Sequence, residues 1–149
     1  MTRFAIFLLA LALLPAGARA GTPIQEAVAL FETMVRLEKA YDPALADLYA
    51  DDARIEYVSV YPDGTRREIK MTGAELKAIL RKMGPMAKAL KSTARYADVR
   101  YGIEGRNLMG IRGLRVSPAK GTSDPFRMTV GLTGDGTWKI LSEYGEARP

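Results

Sequence analysis

The chain has 149 residues, with 22 Lys and Arg against 17 Asp and Glu, and it contains neither His nor Cys; its formal net charge is +5 at pH 7. This length suits a single domain. Without imidazole and thiol groups, the composition excludes a Ser-His-Asp triad, a cysteine nucleophile, a disulfide and a zinc site of the His/Cys type. We therefore predict no metal and no other cofactor. The basic residues are spread along the chain instead of alternating with aromatics in a stripe, which argues against nucleic-acid binding.

The first twenty residues have the pattern of a secretory signal peptide. Arg3 gives a basic start, residues 4–14 are an unbroken apolar run, and Ala18-Arg19-Ala20 is a small-x-small cleavage site. As a helix the apolar run would rise about 16 Å, whereas the hydrocarbon core of a bilayer is about 30 Å thick. We expect residues 1–20 to be removed on export. Residues 21–149 are then one domain, periplasmic or secreted and not attached to a membrane.

Three capping signals predict three helices in the N-terminal half. Thr22-Pro23-Ile24-Gln25 is a capping box with Pro at the first helical position, and apolar residues then recur at spacings of three and four to about Ala40. Asp42-Pro43 repeats the signal before a short helix over 44–49. A second capping box, Thr72-Gly73-Ala74-Glu75, begins a third helix with one apolar face.

The rest of the chain is predicted to form strands. Two β-branched segments on either side of the turn at residues 62–65 predict a hairpin, and after Ser92 the hydrophobic period changes from helical to alternating. The strands are expected at 55–61, 66–71, 93–101, 107–117, 126–133 and 138–146. This order predicts an α+β fold in which a curved, mainly antiparallel sheet of about six strands packs on three helices as a cone with an open mouth.

Two segments resemble the nuclear transport factor 2-like superfamily, which includes polyketide cyclases and ketosteroid isomerases. Residues 48–55 (LYADDARI) are similar to its junction between a short helix and the first strand, and residues 135–141 (DGTWKIL) to its last hairpin. The resemblance spans the whole mature chain and implies the cone fold. The isomerase's catalytic Asp would fall on Tyr57, and its helix tyrosine near Thr33 or Met34, while the cyclases use a His that this chain lacks. We therefore assign no catalytic residue.

Strand parity indicates a candidate ligand site. In the third and fourth strands the more apolar parity carries Arg95 and Arg112, and an arginine among apolar neighbours must reach water, a carboxylate or an anionic ligand. Guanidinium groups donate paired hydrogen bonds to carboxylates or phosphates, and tyrosines stack on flat ligands. The candidate ligand-binding residues are Tyr57, Arg95, Tyr101, Arg112 and Tyr144. The alternative is that the arginines reach solvent at strand ends or pair with Glu56, Glu104 or Glu143.

The same parity leaves the last four strands without an acidic residue among the apolar positions. Trp138, Ile140, Ser142 and Tyr144 are expected on one face, and Glu143 on the other. The adjacent Asp51 and Asp52 are expected to accept backbone N–H groups in a turn.

Three hypotheses follow. In the first, the domain binds a small, anionic or partly apolar ligand in the cone, or a partner protein, without a catalytic centre. In the second, it is a proton-shuttling isomerase or cyclase that uses Tyr57 with Glu56 or Asp52. In the third, it is a homodimeric scaffold joined through the open face of the sheet. The residues expected on that face are Arg115, Arg127, Thr129, Lys139 and Glu143.

Overall fold

The computed structural model describes residues 21–89 and 94–148, and it confirms an α+β fold with three helices in the N-terminal half and one six-stranded sheet. The predicted signal peptide and residue 93, where the third strand was expected to begin, lie outside the described residues. In chain order the elements are α1 (Pro23–Ala40), a 3-10 helix (Pro43–Leu48), β1 (Tyr49–Val60), β2 (Arg66–Thr72), α2 (Gly73–Ala89), β3 (Arg95–Gly105), β4 (Leu108–Ser117), β5 (Thr122–Leu132) and β6 (Trp138–Ala147).

The three predicted helix starts are confirmed by their hydrogen bonds. The Gln25 side chain accepts from the Thr22 N–H at 2.9 Å, and Thr22 Oγ1 accepts from the Gln25 N–H at 3.4 Å. Asp42 Oδ1 accepts from the Ala44 N–H at 2.9 Å, and Glu75 Oε2 accepts from the Thr72 N–H at 2.7 Å. Each cap satisfies backbone donors that a helix N-terminus leaves without intrahelical partners.

The sheet has the strand order β2-β1-β6-β5-β4-β3, in which only β1 and β6 pair in parallel. The helices cover one face of this curved sheet, and the core lies between them. Phe31 and Met34 of α1 pack there with Ile55, Ile111 and Ile140 from three strands. Trp138 is partly buried against this core, as expected. The opposite face, which we call the helix-free face, is left to solvent.

The first strand begins earlier than predicted. The 3-10 helix ends at Leu48, and β1 starts at Tyr49, where it already pairs with Ile140 of β6. Asp51 is therefore in a strand and not in a turn, and its carboxylate accepts from Lys77 Nζ of α2 at 2.6 Å. This ion pair joins α2 to the sheet, so Asp51 still has a role in the fold.

A bulge reverses the predicted parity of the last strand. Val130 pairs with Ile140, but Thr129 pairs with Ser142, so Leu141 is an extra residue in β6. A bulge moves every later side chain to the opposite face. Ser142 and Tyr144 therefore lie on the helix-free face, and the expectation that they share a face with Ile140 is wrong.

The fourth strand is also reversed, and the third is reversed only before its bulge, since Val99 and Tyr101 pack against the core as expected. Ala97 pairs with Leu114 and Arg100 with Arg112, so β3 carries a bulge at Asp98, whose φ is 53°. On β4 the core-facing residues include Ile111, and Arg112 is exposed. Arg95 is exposed as well. The placement of both arginines among core neighbours was therefore wrong, because both residues face away from the helices.

Candidate functional site

The five predicted ligand residues do not converge on one site. Tyr57 lies on the helix side of the sheet beside Glu143, and Tyr101 lines a groove between α1 and β3. Arg112 and Tyr144 line a second, larger groove on the helix-free face. Arg95 lines neither groove. Apart from Arg95, these residues fall in three regions of the described chain, which are taken in turn below.

A carboxylate that the sequence analysis placed on the wrong face is the centre of the first region. Glu143 accepts a hydrogen bond from the Tyr49 hydroxyl at 2.6 Å and from the Tyr57 hydroxyl at 2.9 Å. The bulge at Leu141 brings Glu143 to the helix side, where its strand partners are Met128 and Ile55 of the core. In the sequence, this bulge coincides with two consecutive apolar residues, Ile140 and Leu141.

The surroundings of Glu143 favour its neutral form. Burial raises the pKa of the Glu143 carboxyl, while the two tyrosine hydrogen bonds and the charge of Arg115 act in the opposite direction. Burial and the nearby Glu143 charge raise the pKa of Tyr57 and of Tyr49 above 10. Both phenols are therefore hydrogen-bond donors at neutral pH, and Glu143 is able to exchange a proton closer to neutrality than an exposed Glu.

A second carboxylate extends this cluster to α1. Glu38 Oε2 accepts from the Tyr96 hydroxyl at 2.7 Å, and Glu38 Oε1 accepts from the Arg115 guanidinium at 2.7 Å. The Arg115 side chain is 53% exposed, so this ion pair opens to water on one side. The expectation that Arg115 and Glu143 face a second copy was wrong, since both lie on the helix side.

The groove between α1 and β3 has an apolar floor and a charged rim. It encloses about 510 Å³ and is lined by Phe31, Val35 and Val99, with Tyr96 and Tyr101 as aromatic walls. Phe31 packs edge-on against both tyrosines, with ring centroids 5.3 Å from Tyr96 and 6.3 Å from Tyr101. The charged residues of the rim, all from α1, are Glu32, Arg36 and Lys39.

The groove on the helix-free face is larger, at about 1080 Å³. Arg112, Arg127 and Tyr144 line it, and the Arg127 guanidinium carbon lies 4.6 Å from the centre of the Tyr144 ring. Glu56 also lies on this face, where its Oε2 is 3.9 Å from Lys70 Nζ. Glu56 was one of the carboxylates proposed as a partner for Tyr57, and it lies on the opposite side of the sheet from Tyr57. Within residues 21–89 and 94–148, no three acidic side chains are grouped as a metal site.

Comparison with known proteins agrees on the fold. No protein-family model and no curated protein matches the chain. An NTF-2-like protein of unknown function from Shewanella oneidensis superposes with a TM-score of 0.62 and 16% identity, over 84% of this chain and 99% of that one. A putative scytalone dehydratase from Novosphingobium aromaticivorans superposes with a TM-score of 0.58 and 13% identity, over 82% of this chain and 81% of that one. The beta subunit of a benzoate 1,2-dioxygenase from Burkholderia mallei superposes with a TM-score of 0.55 and 18% identity, over 83% of this chain and 89% of that one.

These neighbours define the class of fold. The chain has the NTF-2-like fold, as its resemblance to the nuclear transport factor 2-like superfamily implied. At 13 to 18% identity the likeness concerns the fold alone. Within the described part of the chain, no helix combines the length and the apolar character needed to cross a membrane.

Proposed function

We propose that this chain is an exported domain that binds a small, partly apolar molecule with one anionic group, in the groove between α1 and β3. The observation that carries the proposal is the combination of an apolar and aromatic floor with two cations at the rim. Small-molecule sites are concave and mostly apolar, with a few polar groups that fix orientation.

The rim explains the preference for an anion. Arg36 and Lys39 are both exposed and lie three residues apart on α1, so their side chains are neighbours on one face of the helix. Glu32 is the acidic residue of the rim and limits the positive field at the other end of the groove. Removing about 100 Å² of ligand ring from water at about 25 cal/mol per Å² contributes about 2.5 kcal/mol. We therefore expect the apolar floor to supply affinity and the two cations to supply selectivity.

Matched ligands test this proposal. Isothermal titration should show that 2-naphthoate binds more tightly than 2-naphthamide, which has the same ring without the charge. Replacing both cations, Arg36→Gln with Lys39→Gln, should weaken naphthoate binding about threefold to tenfold and leave the amide unchanged. Arg106→Gln, an exposed charge change outside the groove, is the control. Equal affinity for the two ligands, or no effect of the double variant, would contradict the proposal.

The geometry of Glu143 supports a second candidate, a proton-transfer enzyme. An acid with a raised pKa, held by two phenol donors, is suited to move a proton on and off a bound molecule. Glu143 borders the larger groove, but its carboxylate lies on the helix side with Tyr49 and Tyr57, which line neither groove. For this reason binding comes first. Deuterium uptake next to the carbonyl of a cyclic ketone, followed by NMR, tests the candidate: exchange that disappears in Glu143→Gln supports it, and no exchange in the wild type ends it.

Export and assembly complete the proposal. Export follows from the pattern of residues 1–20 alone, and protein recovered from the periplasm or medium should begin at Gly21. A homodimer is proposed through the helix-free face, and one structural neighbour is the beta subunit of a dioxygenase, a protein that belongs to an assembly. Lys139, expected on that interface, instead donates to the Asp47 carbonyl of the same chain. Sedimentation at micromolar concentration tests the dimer, and a monomer would end that part of the proposal.

A further inference from the structure

Three arginines lie side by side on the helix-free face. Arg100 of β3 is the cross-strand partner of Arg112 of β4, which is in turn the partner of Arg127 of β5. Direct partners project from the same face of a sheet, and neighbouring strands are about 4.8 Å apart. The three side chains therefore leave the sheet from one row of backbone positions about 10 Å long. We call these residues the arginine row.

The row has no carboxylate of its own. Across residues 21–89 and 94–148, every ion pair within 4.0 Å uses a lysine or arginine outside the row. All three arginines are exposed. Like charges directly opposite each other weaken an antiparallel pair. An external anion would therefore supply the negative charge that no described carboxylate places within 4.0 Å of the row.

Two features give the row the form of a site. The Arg127 guanidinium carbon lies 4.6 Å from the centre of the Tyr144 ring, and this cation–π contact holds it against the sheet. The neighbouring row of cross-strand partners consists of small residues, which lie in the order Gly102, Gly110, Thr129 and Ser142. A ligand is thus able to approach the backbone at Gly102, where an added Cβ would meet nothing within 4 Å, and the Ser142 hydroxyl.

Acidic residues limit where the anion lies. Glu104 reaches over this floor, because its Oε2 accepts from Thr129 Oγ1 at 2.9 Å and a Cβ on Gly110 would lie 2.3 Å from its Oε1. Glu56 and Glu75 line the far side of the groove. Arg54 and Lys70 line that side too, with Lys70 3.9 Å from Glu56 and 3.2 Å from Glu68. The anion is therefore favoured at the row, whose arginines have no carboxylate within 4.0 Å among the described residues.

We propose that the arginine row binds a small polyanion that carries two or more phosphate or carboxylate groups. A planar guanidinium group donates paired hydrogen bonds to either kind of group. A monoanion engages one fork, whereas a polyanion several ångströms long engages two or three at once. This site is separate from the groove between α1 and β3, so it does not depend on ligand binding there. It shares the helix-free face with the proposed dimer, and sedimentation of the row variant distinguishes the two.

Calorimetric titration with tripolyphosphate, citrate and inorganic phosphate tests the proposal. The two longer anions should bind at least tenfold more tightly than inorganic phosphate in low salt. Arg112→Gln with Arg127→Gln should weaken the binding of these longer anions at least tenfold. Glu104→Gln should tighten it severalfold, because it removes the competing carboxylate. A preference for tripolyphosphate would assign phosphate groups to the ligand, and a preference for citrate would assign carboxylates.

Two controls make the result specific. Arg95→Gln removes an exposed arginine from the same strand as Arg100 but outside the row, where its cross-strand partner is Val116, so this variant should bind like the wild type. Arg106→Gln, an exposed charge change outside both grooves, should also leave tripolyphosphate binding unchanged. The proposal is overturned if the Arg95 variant loses as much affinity for the longer anions as the row variant does, or if the row variant binds them as tightly as the wild type. If the row variant alters only sedimentation, the row contacts a second copy and the anion proposal is wrong.

Discussion

The Tyr57 hydroxyl donates a hydrogen bond of 2.9 Å to Glu143 Oε1, and the two residues reach each other from adjacent parallel strands, β1 and β6. Gly145 makes the contact feasible, since a Cβ there would lie 3.3 Å from the Tyr57 ring. The pair, together with Tyr49, places an ionisable carboxyl against the core.

Glu143 should make folding stability depend on pH in a defined direction. Burial raises its pKa in the folded chain above its value in the unfolded chain, about 4.3, so the folded state holds the proton longer. Its stabilising contribution is complete below that pH and is lost as the pH rises through the raised pKa. In urea unfolding at several pH values, the stability of the wild type minus that of Glu143→Gln should fall across this window. A difference that is flat, or that grows with pH, would contradict the burial of this carboxyl.

Tyr57→Phe removes one of the two donors to Glu143. The partly buried Glu143 carboxylate then keeps one donor, Tyr49. We therefore expect the free energy of unfolding of the variant to be about 1–3 kcal/mol lower than that of the wild type at neutral pH. Tyr61→Phe is a control on the same segment, just after β1. A loss as large in the control as in Tyr57→Phe would show that the Glu143 contact is not its cause.

The burial of Ile111 on β4 is tested against Ile103, an exposed isoleucine of β3. Ile111 is 1% exposed and Ile103 is 84% exposed. Ile111→Ala should lower the free energy of unfolding by about 2–5 kcal/mol, because it leaves a cavity in the core. Ile103→Ala should change it by less than about 0.5 kcal/mol. Comparable losses at both positions would mean that Ile111 does not lie in the core between β4 and the helices.

The hydrogen bonds of the last hairpin predict a low pKa for Asp135. The hydroxyl groups of Thr133 and Thr137 and the Thr137 N–H all donate to Asp135, and these hydrogen bonds lower the pKa of its carboxyl to about 2. Because this pKa is below its value in the unfolded chain, the contribution of Asp135 is present above that value and is lost as the pH falls through about 2. NMR titration should report this value, and Thr137→Ala should raise it. A pKa near 3.8 in the wild type would rule out this turn geometry.

The sequence predicted elements better than faces. Caps and turns are local, so Thr22, Asp42 and Glu75 marked the helix starts correctly. The face of a strand depends on register, and one extra residue, such as Leu141, reverses every position after it. For this reason Glu143 was missed and Arg112 was assigned to the wrong side. The grooves also depend on which strands become neighbours, a property of the whole sheet that no single segment reveals.

The most direct test of the central proposal is a two-dimensional NMR titration of the labelled domain with 2-naphthoate. We predict saturable shifts confined to the backbone amides of residues 31–39 on α1 and 96–101 on β3, which frame the smaller groove. Shifts centred instead on β1 and β6 around Glu143, or no saturable shifts at millimolar ligand, would contradict it.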